Sequence, residues 1–315
     1  MKIGIAVPVL NVEREWKPFA DALHRNLARL NLPGSTVLVV DSASTDNSAE
    51  LAMAAGFRLH RINREEFSHG GTRQLAATLL QDSTIIVFLT QDAVLARTDS
   101  IERLVSVFAN PSIGAAYGRQ LPRQGAKPCE AHARYFNYPR VSSCRSLDSR
   151  RELGFKSIFF SNSFGAYRRE ALLAIDGFDR NLIFGEDTVA VARMHLAGWQ
   201  TAYVADAEVY HSHSYSFAQE LRRYFDIGVL HSKERWLTEY FGGAGAEGRR
   251  FVDSEIRFLW HQDRGAIPFA IARNAAKILG YRLGLNERWI AIWLKRYLTM
   301  NRNYWENPGV HVQGR

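Results

Sequence analysis

Short apolar runs alternate with amphipathic segments through the first 120 residues, and this alternation limits the possible folds more than any other feature of the chain. Short apolar runs are typical of strands buried on both faces, and the intervening segments have helical periodicity. The pattern predicts βαβ units around a largely parallel sheet. The expected strands span residues 3–7, 37–40, 57–61, 85–89, 114–117, 158–161 and 201–204.

The rest of the chain divides into two parts. Residues 120–156 are rich in Arg, Pro and Ser and lack clear periodicity, so we expect a long irregular loop of a kind that often binds ligands. Beyond Ser216 the sequence is typical of helices, with a glycine-rich break at 242–245. We therefore expect an α/β domain over residues 1–215 and a helical, basic extension over residues 216–315, frayed after Glu306.

The chain of 315 residues has a net charge of +8, which suits a polyanion, an anionic membrane surface or a phosphorylated substrate. Much of the excess lies between Arg264 and Arg302, where Glu287 is the only acidic residue. No helix-turn-helix, RRM or zinc module accompanies the basic residues, so the pattern argues against nucleic-acid binding. Basic helices with aromatic residues can instead lie on a bilayer, although the same segment could form an oligomer interface.

Sequence composition also indicates the compartment. The N-terminal apolar stretch is too short for a signal peptide, and no apolar run approaches the ~20 residues of a membrane span. The two cysteines, Cys129 and Cys144, fit a reducing compartment, although a single disulfide between them stays open. We expect a cytoplasmic protein, with peripheral attachment to the inner face of the cytoplasmic membrane as a further option.

Polar residues follow three of the predicted strands. Pro8 and Asn11 follow the first, Asp41 and Ser42 the second, and Asp92 the fourth. The carboxyl ends of strands border the ligand crevice in an open α/β sheet. A carboxylate at this edge can accept hydrogen bonds from a nucleoside, or bind a divalent cation that carries a diphosphate. Turn and cap roles are the alternative, and for Asp46 we expect helix capping.

Two further acidic and histidine clusters occur downstream. Glu186 and Asp187 precede a predicted helix, where they can either favour the helix dipole or supply a general base. His211 and His213 are two residues apart, so they point to the same side of an extended segment. Either histidine can be structural or can bind a metal ion.

Taken together, these motifs resemble the family 2 inverting glycosyltransferases, which adopt the GT-A fold. The resemblance covers roughly residues 1–215 and implies a mixed, mainly parallel sheet flanked by helices. The family pattern has P-x-x-N after the first strand, D-D-G-S-x-D after the second, D-x-D after the fourth and a later E-D pair. This chain departs from it at Ser42, Ala43 and Thr90, which replace Asp, Gly and Asp.

The resemblance also implies roles for individual residues. Asp187 would be the catalytic base, and Glu186 would orient Asp187 or the acceptor. Asp41 would contact the nucleotide. Asp92 would bind Mg²⁺ or Mn²⁺ together with a histidine, for which we favour His213 over His211.

Three segments resemble more closely the bacterial rhamnosyltransferases that build O-antigens: residues 67–73, 88–93 and 117–122. This subgroup implies dTDP-L-rhamnose as donor and a glycan or polyprenyl-linked acceptor. Within these segments, Gly71 opens a helix whose N–H groups favour an anion, and Arg73 can reach a phosphate. For residues 69–73 a plain turn is the alternative. Arg119 and Gln120 leave the fifth strand at the same predicted edge and could contact the donor sugar or diphosphate, although a solvated pair is the alternative. Gln91 is a further candidate for donor contact.

Other functions remain open at this point. The donor could be a UDP- or GDP-sugar, or the protein could bind a nucleotide sugar without catalysis. A Rossmann dehydrogenase is disfavoured, because no G-x-G-x-x-G follows the first strand.

Overall fold

The computed structural model of the protein describes residues 1–243 and 245–306. It shows the predicted α/β fold, in which helices flank a mixed sheet and a helical region follows it. The strands among the described residues are β1 (Ile3–Val9), β2 (Val37–Asp41), β3 (Arg58–Arg61), β4 (Ile85–Leu89), β5 (Val94–Leu95), β6 (Ile113–Leu121), β7 (Ser143–Arg145), β8 (Phe164–Arg168) and β9 (Gln200–Tyr210). The expectation of a frayed tail after Glu306 falls outside the described residues.

The strand order brings the predicted loops together. The sheet runs β3-β2-β1-β4-β8-β6-β9-β5, and β7 pairs with β9 beside this path. Strands β1, β2, β3, β4, β6 and β9 share one direction, while β5, β7 and β8 are antiparallel to their neighbours. The carboxyl ends of β1, β2, β4, β6 and β9 therefore meet at one edge of the sheet.

Apolar side chains cover both faces of the sheet. In β1, Ile5, Val7 and Val9 join one buried cluster, while Ala6 joins the other. Phe88 of β4 is fully buried, and burying one such side chain contributes about 1.5–3 kcal/mol. Burial on both faces explains why these strands read as continuous apolar runs.

Helices cover the sheet and form the C-terminal region. They are α1 (Glu13–Arg29), α2 (Ser48–Ala54), α3 (His69–Leu79), α4 (Ser100–Ser106), α5 (Pro128–Asn137), α6 (Arg150–Leu153), α7 (Arg169–Leu173), α8 (Glu186–Leu196), α9 (Phe217–Lys233), α10 (Arg235–Phe241), α11 (Gly245–Gln262), α12 (Ile267–Leu285), α13 (Ile292–Leu298) and α14 (Arg302–Glu306). No helix in the described ranges is long and apolar enough to cross a membrane.

Two predictions for the middle of the chain are wrong. Residues 158–161 do not form a strand, because 3-10 turns occupy Gly154–Ile158 and the central strand is instead β8. Residues 120–156 are less irregular than expected, since they contain α5, α6 and β7. Cys129 and Cys144 are both free thiols.

Glycines hold α9 and α12 close together. An added Cβ at Gly284 would lie 2.1 Å from the carbonyl oxygen of Phe225, and one at Gly280 would lie 2.2 Å from that of Leu221. From the opposite helix, a Cβ at Gly228 would lie 2.3 Å from the carbonyl oxygen of Tyr281. The two backbones are therefore in direct contact, which a larger residue at any of these positions would prevent.

Candidate active site

A cavity of about 1040 Å³ lies at the carboxyl edge of the sheet. Five residues that the sequence places at a ligand site line it together: Pro8, Ser42, Gly71, Arg73 and Gln91. A concave site of this size at strand ends is typical of small-molecule binding in α/β proteins.

Side-chain hydrogen bonds fix the loops around this cavity. The Gln91 side chain accepts from the N–H of Leu10 at 2.6 Å and donates to the Leu10 carbonyl at 3.1 Å, which joins the ends of β1 and β4. Asn11 Oδ1 accepts from the N–H of Thr45 at 2.8 Å. Asn11 therefore holds the loop after β2 in place, and its backbone has a φ of 51°.

The loop after β2 contains two of the three departures from the family pattern, Ser42 and Ala43. Asp41 is 2% exposed, and its carboxylate accepts from the N–H of Ser44 at 3.3 Å. Ala43, where the family has glycine, has a φ of 58° in the left-handed region that favours glycine. The tight turn is therefore retained with a residue that adopts it at a cost.

Four buried polar atoms in residues that line the cavity have no hydrogen-bond partner among the described residues. They are Ser42 Oγ, Thr72 Oγ1, Arg73 Nε and Thr90 Oγ1. Ser42 and Thr72 are each 2% exposed. Buried polar groups in native proteins are nearly always hydrogen-bonded, so these atoms are candidates for hydrogen bonds to a polar ligand.

The start of α3 positions Arg73. Gly70 allows close contact with the next loop, since its added Cβ would lie 1.9 Å from the Asp179 carbonyl oxygen. The N–H of Gly71 donates to the Ser68 side chain at 3.0 Å, so Ser68 caps the helix and this N–H does not point freely at a ligand. Arg73 lies one turn further, where Nη1 is 3.0 Å from Glu186 Oε1.

Glu186 and Asp187 have opposite electrostatic environments at the start of α8. Burial favours neutral Glu186, but Arg73, His69 and the Asn162 amide outweigh it and lower its pKa. Burial together with the negative charge of Glu186 raises the pKa of Asp187 to about 7. Glu186 is therefore a fixed anion, while Asp187 can exchange a proton near neutral pH.

Asp187 is held by backbone donors. Its Oδ1 accepts from the N–H of Thr188 at 2.7 Å, and its Oδ2 accepts from the N–H of Asn162 at 3.2 Å. Asn162 Nδ2 also donates to Glu186 Oε1 at 3.0 Å. Asn162 thus positions both carboxylates, a role for which its sequence neighbourhood gives no specific signal.

The structure brings the three predicted metal ligands together. The ligand atoms of Asp92, His211 and His213 all lie within 4.8 Å of one another. Asp92 Oδ2 is 3.3 Å from His211 Nε2 and 3.5 Å from His213 Nε2. Both histidines follow β9 and face Asp92 after β4, as expected for side chains two apart in an extended segment.

The protonation of His211 favours a cation at this cluster. Gln120 Oε1 accepts from Arg134, so His211 Nδ1, 2.9 Å away, must donate to it. Burial lowers the pKa of His211 against the opposing effect of Asp92, which favours the neutral ring. A neutral ring that donates from Nδ1 has a lone pair on Nε2, the atom that faces Asp92 Oδ2. A cation between Asp92 Oδ2 and His211 Nε2 would satisfy both of these acceptor atoms. Metal-ligating histidines typically donate a hydrogen bond from the other ring nitrogen, as Nδ1 of His211 does here.

Hydrogen bonds on either side of the Ser161–Asn162 peptide link connect the cluster to the carboxylates of α8. Gln120, which contacts His211, also donates to Ser161 Oγ at 2.8 Å. Ser161 precedes Asn162, which contacts both Glu186 and Asp187. The two charged groups therefore belong to one connected network at the sheet edge.

Arg119 is placed differently from the other candidates. Its guanidinium lies 3.2 Å from Glu208 and donates to the Tyr138 carbonyl, and it does not line the cavity. Its proposed contact with the donor stays a prediction. Arg123, in contrast, was not selected from the sequence, yet its Nη2 lies 3.7 Å from Asp92 Oδ2.

Comparison with known families agrees with this site. The sequence matches the family described as "Glycosyltransferase like family 2" over residues 2–225. This chain therefore belongs to glycosyltransferase family 2, and it is an enzyme that transfers a sugar.

Two curated relatives are rhamnosyltransferases. The O-antigen chain rhamnosyltransferase RfbN of Salmonella typhimurium is 41% identical over 308 residues, which are 98% of this chain and 97% of RfbN. The O-antigen chain rhamnosyltransferase WbaN of Salmonella anatum is 40% identical and covers 96% of this chain and 95% of WbaN. These matches confirm the predicted resemblance to family 2 rhamnosyltransferases of O-antigen synthesis.

Solved structures share the fold at low sequence identity. A mannosyltransferase of Pyrobaculum calidifontis, in complex with GDP-Man and Mn²⁺, matches with a TM-score of 0.54 and 18% identity, over 99% of this chain and 87% of that one. S. aureus TarS 1–349, in complex with UDP-GlcNAc, has a TM-score of 0.54 and 14% identity over 91% and 92% of the two chains. They agree with the GT-A architecture that the sequence predicts.

Proposed function

We propose that this enzyme transfers L-rhamnose from dTDP-L-rhamnose to a hydroxyl of a bacterial surface glycan or a lipid-linked oligosaccharide, with inversion at the anomeric carbon. The full-length similarity to two O-antigen chain rhamnosyltransferases supports the sugar and the acceptor class. The cavity at the sheet edge, with its unpartnered polar atoms, supports a nucleotide-sugar site beside Pro8, Ser42 and Arg73.

The observation that carries the mechanism is the contrast between Glu186 and Asp187. Only Asp187 has a pKa near 7, which suits a general base at neutral pH. In the proposed step, Asp187 takes the proton of the acceptor hydroxyl while the hydroxyl oxygen bonds to the anomeric carbon. The bond from that carbon to the diphosphate oxygen breaks on the opposite face, and dTDP leaves with the electron pair.

Asp92, His211 and His213 would hold Mg²⁺ or Mn²⁺. A bound divalent cation would stabilise the charge that develops on the leaving diphosphate. Of the two ions, Mn²⁺ suits a donor set with two imidazole nitrogens better, since Mg²⁺ prefers oxygen ligands. The Mn²⁺ bound to the mannosyltransferase of similar fold is consistent with this choice.

The remaining candidates belong to the donor site in this proposal. Asp41 and Ser42 would contact the nucleoside, while Arg73 would orient Glu186 and face the diphosphate. Asn11, Gln91 and Gly71 would act mainly by holding the surrounding loops. Their hydrogen bonds to Thr45, Leu10 and Ser68 support this indirect role.

The test is the variant Asp187→Asn. It should still bind dTDP with wild-type affinity, because the side chain keeps its shape, and should lose transfer by about 10²–10⁴-fold. Asp206→Asn, on the exposed side of β9, is the matched control and should transfer at the wild-type rate. Undiminished transfer by Asp187→Asn would show that another group is the base.

We further propose that α12, α13 and the turn between them lie on an anionic bilayer, where a lipid-linked acceptor would be found. Trp289, Trp293 and Tyr297 are 76%, 70% and 63% exposed. Glu287, the only acid between Arg264 and Trp305, is buried against Lys233 and Lys295. This aromatic surface therefore presents only positive charge, which suits attraction to anionic lipid.

A further inference from the structure

One wall of the donor cavity comes from the C-terminal end of the described chain. Residues 300–304 and Glu306 line the cavity opposite the loops after β1 and β2. The sequence predicts a catalytic domain that ends at residue 215, so this contribution was not expected. We call residues 300–306 the C-terminal wall.

Buried Asp226 of α9 anchors this wall. Its carboxylate accepts from Thr299 Oγ1 at 2.6 Å, from the N–H of Met300 at 3.0 Å and from Asn301 Nδ2 at 2.9 Å. Asp226 is 1% exposed, and three donors directed at one buried carboxylate fix the backbone that precedes α14.

The wall is also attached to the opposite side of the cavity. Asn303 Nδ2 donates to the Arg64 carbonyl at 3.0 Å, and Asn301 lines the cavity together with His69 at the start of α3. The wall is therefore part of the site rather than a neighbouring surface, because it contacts the same loops that carry the predicted donor residues.

Exposed charges of both signs line the cavity. Its exposed arginines are Arg64, Arg180 and Arg302, and its exposed acids are Glu65, Glu66 and Glu306. None of the three arginines forms an ion pair within the described residues. Unpaired guanidinium groups around a cavity attract phosphate groups, which they bind through paired N–H donors. Arg302 is the member of this set that the C-terminal wall supplies.

We propose that Arg302 binds the diphosphate of the nucleotide-sugar donor and that the C-terminal wall closes the donor site. This inference rests on the proposed use of a nucleoside diphosphate sugar. It assigns the C-terminal helical region a direct part in donor binding, in addition to any contact with a membrane.

The experiment is calorimetric titration of the full chain with dTDP in the presence of Mn²⁺. Arg302→Ala should weaken dTDP binding by about tenfold, as expected for the loss of a charge-assisted hydrogen bond. Arg302→Lys should recover part of the affinity, because it retains the charge without the paired donors. Arg282→Ala is the matched control, since Arg282 is an exposed arginine of the same region that does not line the cavity.

The outcomes separate this inference from the proposed function. Wild-type affinity in Arg302→Ala, with an unchanged melting temperature, would overturn the role of Arg302 and leave the proposed function intact. Equal weakening in Arg282→Ala would overturn it as well, since the effect would then reflect net charge alone. Absence of dTDP, UDP and GDP binding by the wild-type protein would overturn both proposals.

Discussion

The neighbouring carboxylates of Glu186 and Asp187 have pKa values shifted in opposite directions, because different groups surround each side chain. Arg73 and Asn162 contact Glu186, whereas Asp187 has backbone N–H groups and the charge of Glu186 nearby. The sequence pair Glu-Asp shows that an acid is available but not which of the two stays ionised. That difference depends on Arg73, which lies more than a hundred residues earlier in the chain.

The raised pKa of Asp187 predicts the pH dependence of transfer. Below its pKa of about 7 the carboxyl holds a proton and cannot accept another, so kcat/KM should rise as pH increases through about 7. The measurement is the initial rate of transfer from about pH 5 to pH 9. A flat profile across this interval would exclude Asp187 as the titrating base.

The raised pKa of Asp187 also predicts how the stability of the protein depends on pH, and here stability should fall where activity rises. A folded-state pKa above the unfolded value means that the folded protein binds the proton more tightly. This contribution to the free energy of unfolding is present at low pH and is lost as pH rises through about 7. Asp187→Asn lacks it, so its stability relative to the wild type should increase between about pH 4 and pH 7 in urea denaturation and stay constant above that.

Residue types predict structure well where the interaction involves only neighbouring parts of the chain, as in helix capping and turns. Asp46 was predicted to cap a helix, and its carboxylate accepts from the N–H of Glu13 and the N–H of Ser48, the first residues of α1 and α2. The strained φ of Ala43 has a similar origin, because the turn requires a left-handed residue whichever amino acid occupies it.

At the level of elements, the contact between α9 and α12 determines where the C-terminal wall lies. These helices are packed through Gly228, Gly280 and Gly284, with no room for an added Cβ against the facing backbone. The chain runs from α12 through α13 into the C-terminal wall, and Asp226 of α9 holds the start of that wall. A shift of α12 relative to α9 would therefore move the segment that lines the donor cavity.

Two glycine substitutions test this packing. Gly284→Ala should lower the free energy of unfolding by about 1–3 kcal/mol through overpacking against Phe225. Gly248→Ala in α11 is the control, because its added Cβ meets nothing within 4 Å and alanine favours a helix by about 1 kcal/mol over glycine. Urea denaturation should therefore give changes of opposite sign, and equal changes would contradict the close contact.

Elements with strong periodicity were predictable, and the exceptions have physical reasons. The runs at 37–40 and 85–89 are buried on both faces and were placed correctly as β2 and β4. The strand expected at 158–161 is instead β8, whose segment Phe164–Arg168 contains Gly165 and has a weaker apolar pattern. Gly165 is required there because an added Cβ would lie 2.8 Å from the ring of Phe160.

At the level of the whole molecule, the C-terminal helices have two faces with different surroundings. Near α9 they are packed and supply the C-terminal wall, while the opposite side exposes Trp289, Trp293 and Tyr297. The sequence indicated a basic, aromatic region but gave no reason to connect it with the donor site. Contacts between residues 64 and 303 depend on tertiary packing that no local pattern encodes.

Vesicle binding tests the outer surface. The wild-type protein should sediment with phosphatidylcholine vesicles that contain phosphatidylglycerol, but not with phosphatidylcholine alone, and added salt should weaken binding. The double variant Trp289→Ala/Trp293→Ala should bind less, while Tyr240→Ala, an exposed aromatic of α10, should bind like the wild type. Loss of a dimer in the double variant without any vesicle binding would identify an oligomer interface instead.

The most direct test of the proposed activity is the nucleotide preference of the purified protein. We expect calorimetric titration with dTDP, UDP and GDP to show strongest binding of dTDP with Mn²⁺, and much weaker binding with EDTA or in Asp92→Ala. Preference for UDP or GDP would contradict dTDP-rhamnose as the donor. Equal dTDP affinity with and without the cation would contradict the metal role of Asp92, His211 and His213.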